Sequence, residues 1–482
     1  MSELAAEPEA ILDRLRELRE ADAPTHGGRV LSYVYDSGMS ELDELAASAI
    51  RLMQPVNGLD PTTFTSVAVL ERETVGFVRE LLSGDNEVVG SVTSGGTESC
   101  LLAVKTARDN WRARGGVGEP VLLAPTTAHA AFRKAAHYFD LRFEAVHVDP
   151  ETGAPAADWL IQRMSPAVAL VVVSAPSYPF AALDPIVEVA AACLGLGIDC
   201  HVDACIGGLV LPFWRDVAPW DFAVPGVTSM SADLHKFGYA PKGSSVLLHR
   251  GRDRQRAQYF ATTEWPGYPI VNPMMPGSRS AGSLAAAWAI IQALGTDGFA
   301  RLAQSCERST AALVDVVGGI EGLKAVGQPV GPLFAVTSDH SVADGRRVDP
   351  HLWADQVREH GWQLQLQPSI VQPDGSRLPR TTHLTITPVT EGVLGDLSEA
   401  LVLAADEVRG VPGISPSAAA SALPALDRAL DSDASAALLA GMGLADGGIP
   451  GRMAPLLALV EALPAPVAER LLIELLARLV EP

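Results

Sequence analysis

From about residue 88 the chain alternates short runs rich in Val, Leu and Ala with longer stretches whose apolar residues recur at helical spacing. VLLAP at 121–125, FEAVHV at 143–148, VALVVVSAP at 168–176 and DCHVDA at 199–204 read as strands, and the segments between them as helices. That alternation predicts an α/β fold of βα units around a largely parallel sheet buried on both faces. Chemistry then belongs at the strand ends. Residues 1–60 read as a mostly helical arm, interrupted by a Gly- and Tyr-bearing loop at 27–38, and 61–305 as the large domain. PLFAVTS at 332–338 and THLTITPVT at 382–390, with a helical WADQVREHG at 353–361 between them, predict a smaller α/β domain over 306–410. The Ala-, Ser-, Pro- and Asp-rich stretch 411–437 reads as linker or loosely packed helix. A Leu-rich final helix at 465–480 completes a segment spanning 411–482.

With 482 residues, 48% of them hydrophobic and 19% charged, the chain can bury a large core in more than one unit. Its net charge of −21 argues against a sequence-independent grip on nucleic acid or on an anionic membrane. The five cysteines are odd in number and form no CxxC pair, so neither a disulfide framework nor a metal cluster is expected. MSELAAEPEA is acidic with no apolar stretch behind it, and the apolar run at 167–176 is about half a membrane span. The expectation is a cytoplasmic protein with no integral membrane segment.

Four segments carry candidate chemistry. SVTSGGTES at 91–99 takes a strand end through Gly95 and Gly96 into a helix, which suits an anion because the backbone can approach closely and the helix N-terminus offers unpaired N–H groups. An ordinary capped helix start reads the same way. HVDAC at 201–205 puts Asp203 at a strand tip, where a carboxylate could pair with a protonated pyridine nitrogen or simply cap a turn. SADLHKFGYAPKGSS at 231–245 places His235 and Lys236 after an apolar stretch, followed by a Gly/Pro turn and Lys242. A lysine can form a Schiff base, and partial burial is expected to lower its pKa; a solvated basic loop is the plain alternative. In TTAHAAFRKAAHYF at 126–139, His129 opens a helix and could stack on a cofactor ring or serve as a structural hydrogen bonder.

Taken together and in this order, TSGGTES, HAAFRKAAHYF, SAPSYPFAALDPI (174–186), HVDACIGG, SADLHKFGYAPKGSS and PMMPGSRSAG (273–282) resemble the group II pyridoxal-phosphate decarboxylases, and within them the sphingosine-1-phosphate lyase branch. The resemblance covers about residues 27–300. It implies the type I, aspartate-aminotransferase-like fold and a homodimer with shared active sites. Pyridoxal 5'-phosphate would be held as a Schiff base on Lys236, with Asp203 on its ring nitrogen and His129 over its ring. Gly96, Thr97 and His235 would surround its phosphate, joined by Gly277 and Ser278 from the other subunit. Tyr35, Asn57, Asp60 and Lys242 fall at positions that bind substrate.

The implied activity is carbon–carbon cleavage of a small amine or amino acid, either as an aldehyde-lyase or as a carboxy-lyase. An aminotransferase or desulfurase would need an arginine clamp, for which Arg279 is conceivable, or a mobile cysteine, for which Cys205 is. Intact Lys236, Asp203 and His129 speak against a non-catalytic scaffold. One departure bears on substrate: where the lyases have Asn-Pro-Leu-His, this chain has Asn57-Gly58-Leu59-Asp60. A carboxylate there either opposes a substrate phosphate or opens a turn before Pro61.

Overall fold

The computed structural model describes residues 5–421, 432–441 and 451–481. Three helices lead: α1 (Pro8–Arg19), α2 (Ser40–Met53) and α3 (Thr65–Leu81). The large unit follows with β1 (Val88–Thr93), α4 (Gly96–Ala113), β2 (Val121–Pro125), α5 (Ala130–Tyr138), β3 (Arg142–Val146), α6 (Ala157–Ile161), β4 (Val168–Ser174), α7 (Ile186–Leu196), β5 (Asp199–Asp203), β6 (Ser229–Ala232) and β7 (Ser245–Arg250). These seven strands form one sheet in the order β1-β7-β6-β5-β4-β2-β3, parallel throughout except for β7, which runs against both neighbours. No helix among the described residues is long and apolar enough to cross a membrane.

The apolar runs are explained by burial on both faces. Every residue of β4 is buried, and the two-residue period sends alternate side chains into different cores. Leu122, Ala124, Leu170 and Val172 pack with Trp111, Phe132 and other residues of α4 and α5. Val121, Leu123, Val171 and Val173 pack on the opposite face with Val67, Val78 and Val189. Polar side chains also occur inside the sheet, among them the buried His201, but the strand ends are where polar groups open onto loops. Thr93, Pro125, Ser174, Asp203 and Ala232 end five parallel strands on the same side, and the loops that follow carry the polar segments singled out above.

After β7 come α8 (Arg252–Arg256), the hairpin of β8 (Phe260–Thr262) with β9 (Ile270–Asn272), and α9 (Gly282–Gly318). α9 turns at Gly295, which has φ 55°, and runs through the expected boundary at 305–306, so the large and small units share one helix. The small unit holds β10 (Leu323–Ala325), β11 (Leu333–Ser338), α10 (Pro350–Glu359), β12 (Gln365–Gln367), a two-stranded ribbon of β13 (Ile370–Val371) and β14 (Arg377–Leu378), β15 (Thr381–Thr385) and α11 (Leu394–Val408). Its sheet is antiparallel, in the order β10-β11-β15-β12.

The arm is stitched into this sheet rather than standing apart. Leu31 N–H donates to Gln363 O at 2.9 Å and Leu31 O accepts from Thr385 N–H at 2.7 Å, while the Leu31 side chain joins Trp353 and Trp362 in the small core. These contacts place the 27–38 loop beside the large sheet's polar edge.

The C-terminal helices described are α12 (Pro416–Ser421), α13 (Ser432–Gly441), α14 (Ala454–Ala462) and α15 (Ala465–Leu479). Asp355 accepts the Met453 and Ala454 N–H groups, and Arg380 pairs with Glu461 at 2.7 Å, so α14 is docked on the small unit. Part of the stretch expected to be linker, 422–431, lies outside the described residues.

Trp353 fills the centre of the small core with no exposed surface, and its indole N–H donates to Leu401 O at 2.9 Å. Trp353→Ala should therefore lower stability by ~3–5 kcal/mol, read as an earlier denaturant midpoint by tryptophan fluorescence and circular dichroism.

Candidate active site

Gly95 reaches the start of α4 with φ 151°, a conformation open to glycine. A Cβ on Gly95 would stand 3.1 Å from the His235 ring, and one on Gly96 would stand 2.6 Å from the Asp233 carboxylate. The two glycines therefore let the helix start close onto the 233–236 turn, and Thr97 follows in the first turn of α4. Glu98 ties this cradle down, accepting the Ser94 N–H and hydroxyl at 2.6 Å each and the Met275 N–H at 2.6 Å.

Lys236 is partly buried with Nζ 3.0 Å from Asp233 Oδ2. Burial alone pushes its pKa down, as its sequence context leads one to expect. The Asp233 carboxylate, with Asp203 behind it, outweighs that and holds it well above the ordinary lysine value. The expectation of a lowered lysine is thus reversed by a buried partner. Asp203 is itself buried; its Oδ1 accepts the Cys205 N–H at 3.1 Å and the Ser231 hydroxyl at 3.4 Å.

His129 caps α5, its Nδ1 accepting the Ala131 N–H at 3.2 Å, which leaves Nε2 to carry the proton. The residue is exposed in the single chain. Tyr35 packs edge-on against Phe237 at 5.2 Å, and burial pushes its phenol up to about 12. Lys242 donates to Tyr33 O at 3.1 Å and His235 O at 3.3 Å and lies 4.6 Å above the Tyr35 ring. Loss of hydration at its packed end, then the charge on Lys236, bring it down to about 8.

Two residues emerge that the sequence reading did not single out. Asp233 is visible only as an acid three positions before Lys236. Tyr178, within SAPSYPF, stacks on His383 at 4.2 Å, and its buried hydroxyl has no hydrogen-bond partner among the described residues. Burial raises its phenol, with Tyr33, Tyr35 and Lys236 as its electrostatic neighbours. Its hydroxyl therefore faces the same cluster.

The remaining expected site residues form a second group. Asn57 pairs with Ser280 as an isolated bridge, its Nδ2 donates to Ser278 Oγ at 3.3 Å, and Gly58 N–H donates to Arg279 O at 2.7 Å. Asn57, Asp60, Gly277, Ser278 and Arg279 all line an open groove of about 1430 Å³. No hydrogen bond or ion pair among the described residues joins them to Lys236, Asp203 or His129. Asp60 resolves as a turn opener: its two oxygens accept from the backbone and hydroxyls of Thr62 and Thr63, which hold its carboxyl down to about 2.

The pyridoxal-dependent decarboxylase conserved domain matches residues 35–321. The chain belongs to the pyridoxal-dependent decarboxylase family. A C-terminal domain of pyridoxal-dependent enzymes, of helix-turn-helix type, matches 417–478. The sphingosine-1-phosphate lyase of Dictyostelium discoideum is 33% identical over 412 residues, covering 84% of this chain and 74% of that one. The solved sphingosine-1-phosphate lyase of Burkholderia pseudomallei superposes with a TM-score of 0.77 at 32% identity, over 85% of this chain and 93% of the other. Lactobacillus brevis glutamate decarboxylase shares the fold at TM-score 0.74 and 19% identity, over 86% and 95% of the two chains.

This decarboxylase-family chain is accordingly a pyridoxal-phosphate-dependent lyase with the type I fold, and the site suits its cofactor. The cradle exists only because two glycines carry no Cβ, and an amine, a buried carboxylate and a tyrosine hydroxyl unpaired among the described residues lie near it. Cys205, the conceivable desulfurase cysteine, is buried with its thiol pushed well up by its contact with Cys100 and by burial, which is opposite to an activated nucleophile.

Gly96→Ala would force a methyl into the Asp233 carboxylate. Its affinity for pyridoxal 5'-phosphate, measured by equilibrium dialysis, should fall at least about tenfold, or about 1.4 kcal/mol, while the far-ultraviolet circular dichroism spectrum stays unchanged.

Proposed function

We propose that this lyase is an aldehyde-lyase cleaving the Cα–Cβ bond of a phosphorylated amino alcohol, as the names of its 32–33% identical relatives indicate for those proteins. The observation that carries this reading is the Lys242–Tyr35 pair beside the Lys236 site, where a cation held by the Tyr33 and His235 carbonyls lies over a phenol ring and could receive an anionic group. Asp60 stays anionic, but both its oxygens are turned to the hydroxyls and backbone N–H groups of Thr62 and Thr63, which weakens the objection that it is aimed at a substrate phosphate.

Pyridoxal phosphate supplies the electron sink for the bond that breaks at substrate Cα. Lys236 would hold it covalently, as a Schiff base through Nζ, and Gly96, Thr97 and His235 would hold its phosphate. Asp203 would keep the ring nitrogen protonated. His129, with Nδ1 fixed by the Ala131 N–H, would cover the ring, and the Lys236 amine would return a proton to Cα. Tyr35 keeps its proton at neutral pH and would donate a hydrogen bond. Lys242, as the cation, would bind the substrate phosphate.

We further infer a homodimer in which Gly277 and Ser278 serve the neighbouring subunit's cofactor phosphate. Both are exposed and grouped with Asn57, away from their own chain's lysine. The nearby hairpin exposes Phe260, Tyr268, Val271 and Met275 by 51–63%, a surface that a second copy would cover.

Incubation with a panel of phosphorylated amino alcohols and amino acids, followed by mass spectrometry, should yield a fatty or short-chain aldehyde and a phosphorylated amine. Release of carbon dioxide alone would assign the chain as a carboxy-lyase instead. Mixed Lys236→Ala and Ser278→Trp subunits, each inactive alone, should regain about a quarter of wild-type activity by random reassortment. An active monomer in sedimentation would defeat the shared site.

Because Lys242 loses its charge near pH 8, kcat/KM for the phosphorylated substrate should fall as pH rises through that value. Lys242→Arg should keep its charge and move the fall to higher pH.

A further inference from the structure

Asp233 is 1% exposed and lies where the cradle, the lysine and the phosphate histidine meet. Its Oδ2 is 3.0 Å from Lys236 Nζ and 3.5 Å from His235 Nε2. Oδ1 has no hydrogen-bond partner among the described residues, and both oxygens lie within 2.7 Å of where a Cβ on Gly96 would stand. Burial also drives His235 toward its neutral form, and Lys242 and Lys236 add to that against the pull of Asp233. Lys236 is therefore the one full positive charge in contact with the carboxylate. An ion pair this deep holds both members charged, since either alone would be a buried, uncompensated ion.

The other groups around the lysine do not offer an equivalent. At the end of β5, Asp203 adds a weaker negative field, and the Cys205 thiol just after it is neutral. Tyr35 from the arm, Tyr178 after β4 and Cys100 on α4 are all raised by burial or by neighbouring acids and stay protonated at neutral pH. Lys242 opposes a second cation here.

We propose that Asp233 is a positioning residue that keeps Lys236 as an ammonium, so that loss of one proton from Nζ limits covalent capture of the cofactor and the same ammonium stands ready as proton donor when substrate releases it. The inference rests on the reading that Lys236 carries the cofactor. Capture needs the Nζ lone pair: the proton leaves, nitrogen bonds to the aldehyde carbon, and the carbonyl oxygen departs as water. Asp233 opposes the first of these events and favours the return of the proton.

Full-length protein stripped of cofactor by hydroxylamine dialysis would be mixed with pyridoxal 5'-phosphate between about pH 7 and 9, and absorbance near about 420 nm followed by stopped flow. In wild type the rate should climb about tenfold per pH unit, as for a single required deprotonation. Asp233→Asn should be at least about tenfold faster at pH 7 and should level off at higher pH, because the lysine midpoint has come down. Asp233→Ser, smaller and also neutral, gives the same expectation should the Asn variant misfold; thermal melting checks both. An unchanged pH profile, or an equal loss of rate at every pH, overturns the proposal. Borohydride reduction and peptide mass spectrometry keep the two readings apart. A label on any residue other than Lys236 in wild type would sink the attachment reading, whereas a label on Lys236 with an unshifted profile would sink this one.

Discussion

A parallel sheet covered on both faces leaves its polar chemistry one outlet, the edge where the strands end. β4 and β5 are buried along their whole length, so Ser174 and Asp203 are the last positions before loops that can reach water or ligand. Strands from distant parts of the sequence deliver the Gly95–Gly96 cradle, His129, Tyr178, Asp203 and Lys236 to that edge in one layer. The arm closes over it because Leu31 is locked between Gln363, just before β12, and Thr385 of β15, which fixes where Tyr33 and Tyr35 fall. The small unit thus shapes the mouth of a site whose chemical groups come from the large one.

Within that layer, charge is arranged by burial. Asp203 and Asp233 are both carboxylates near Lys236, but their settings differ. Asp203 is held by a backbone N–H and a hydroxyl, whereas Asp233 has the ammonium itself. Two acids with different partners can serve the two ends of one cofactor, the ring nitrogen and the covalent attachment point. The surrounding thiols and phenols are kept neutral by burial, so they shape the cavity without competing for protons at physiological pH.

The separation of Asn57, Gly277 and Ser278 from the lysine cluster gives the site its other constraint. Asn57 is bonded to Ser278 and Arg279 across more than two hundred positions of sequence, which ties the two segments into one surface. The proposed second copy would cover this surface, with its wide groove and exposed apolar hairpin. Asp60, a few residues away, opens the turn that leads into α3, its carboxylate accepting from Thr62 and Thr63.

By itself the sequence determined the alternation of strands and helices in the large unit and which polar segments follow its strands. VLLAP, DCHVDA and PLFAVTS lie at or within a residue of observed strands, because a strand dry on both faces is mostly apolar and its few polar side chains stand out. The cradle glycines and the His235–Lys236 pair were legible because their backbone and chemical demands are local. What only the tertiary structure decided was how those groups influence one another. The raised Lys236 depends on Asp233 being sealed beneath Gly96, the fate of Asp60 on two threonine hydroxyls, and the role of Tyr178 on a hydroxyl left unpaired after it stacks on His383. Likewise α9 crosses an expected domain boundary because helical periodicity continues wherever both sides offer a core, and no local signal marks where one core gives way to the next. Spacing along the chain fixes which face a residue takes, but pKa and partnership depend on distance and exclusion of water, which exist only once the chain is folded.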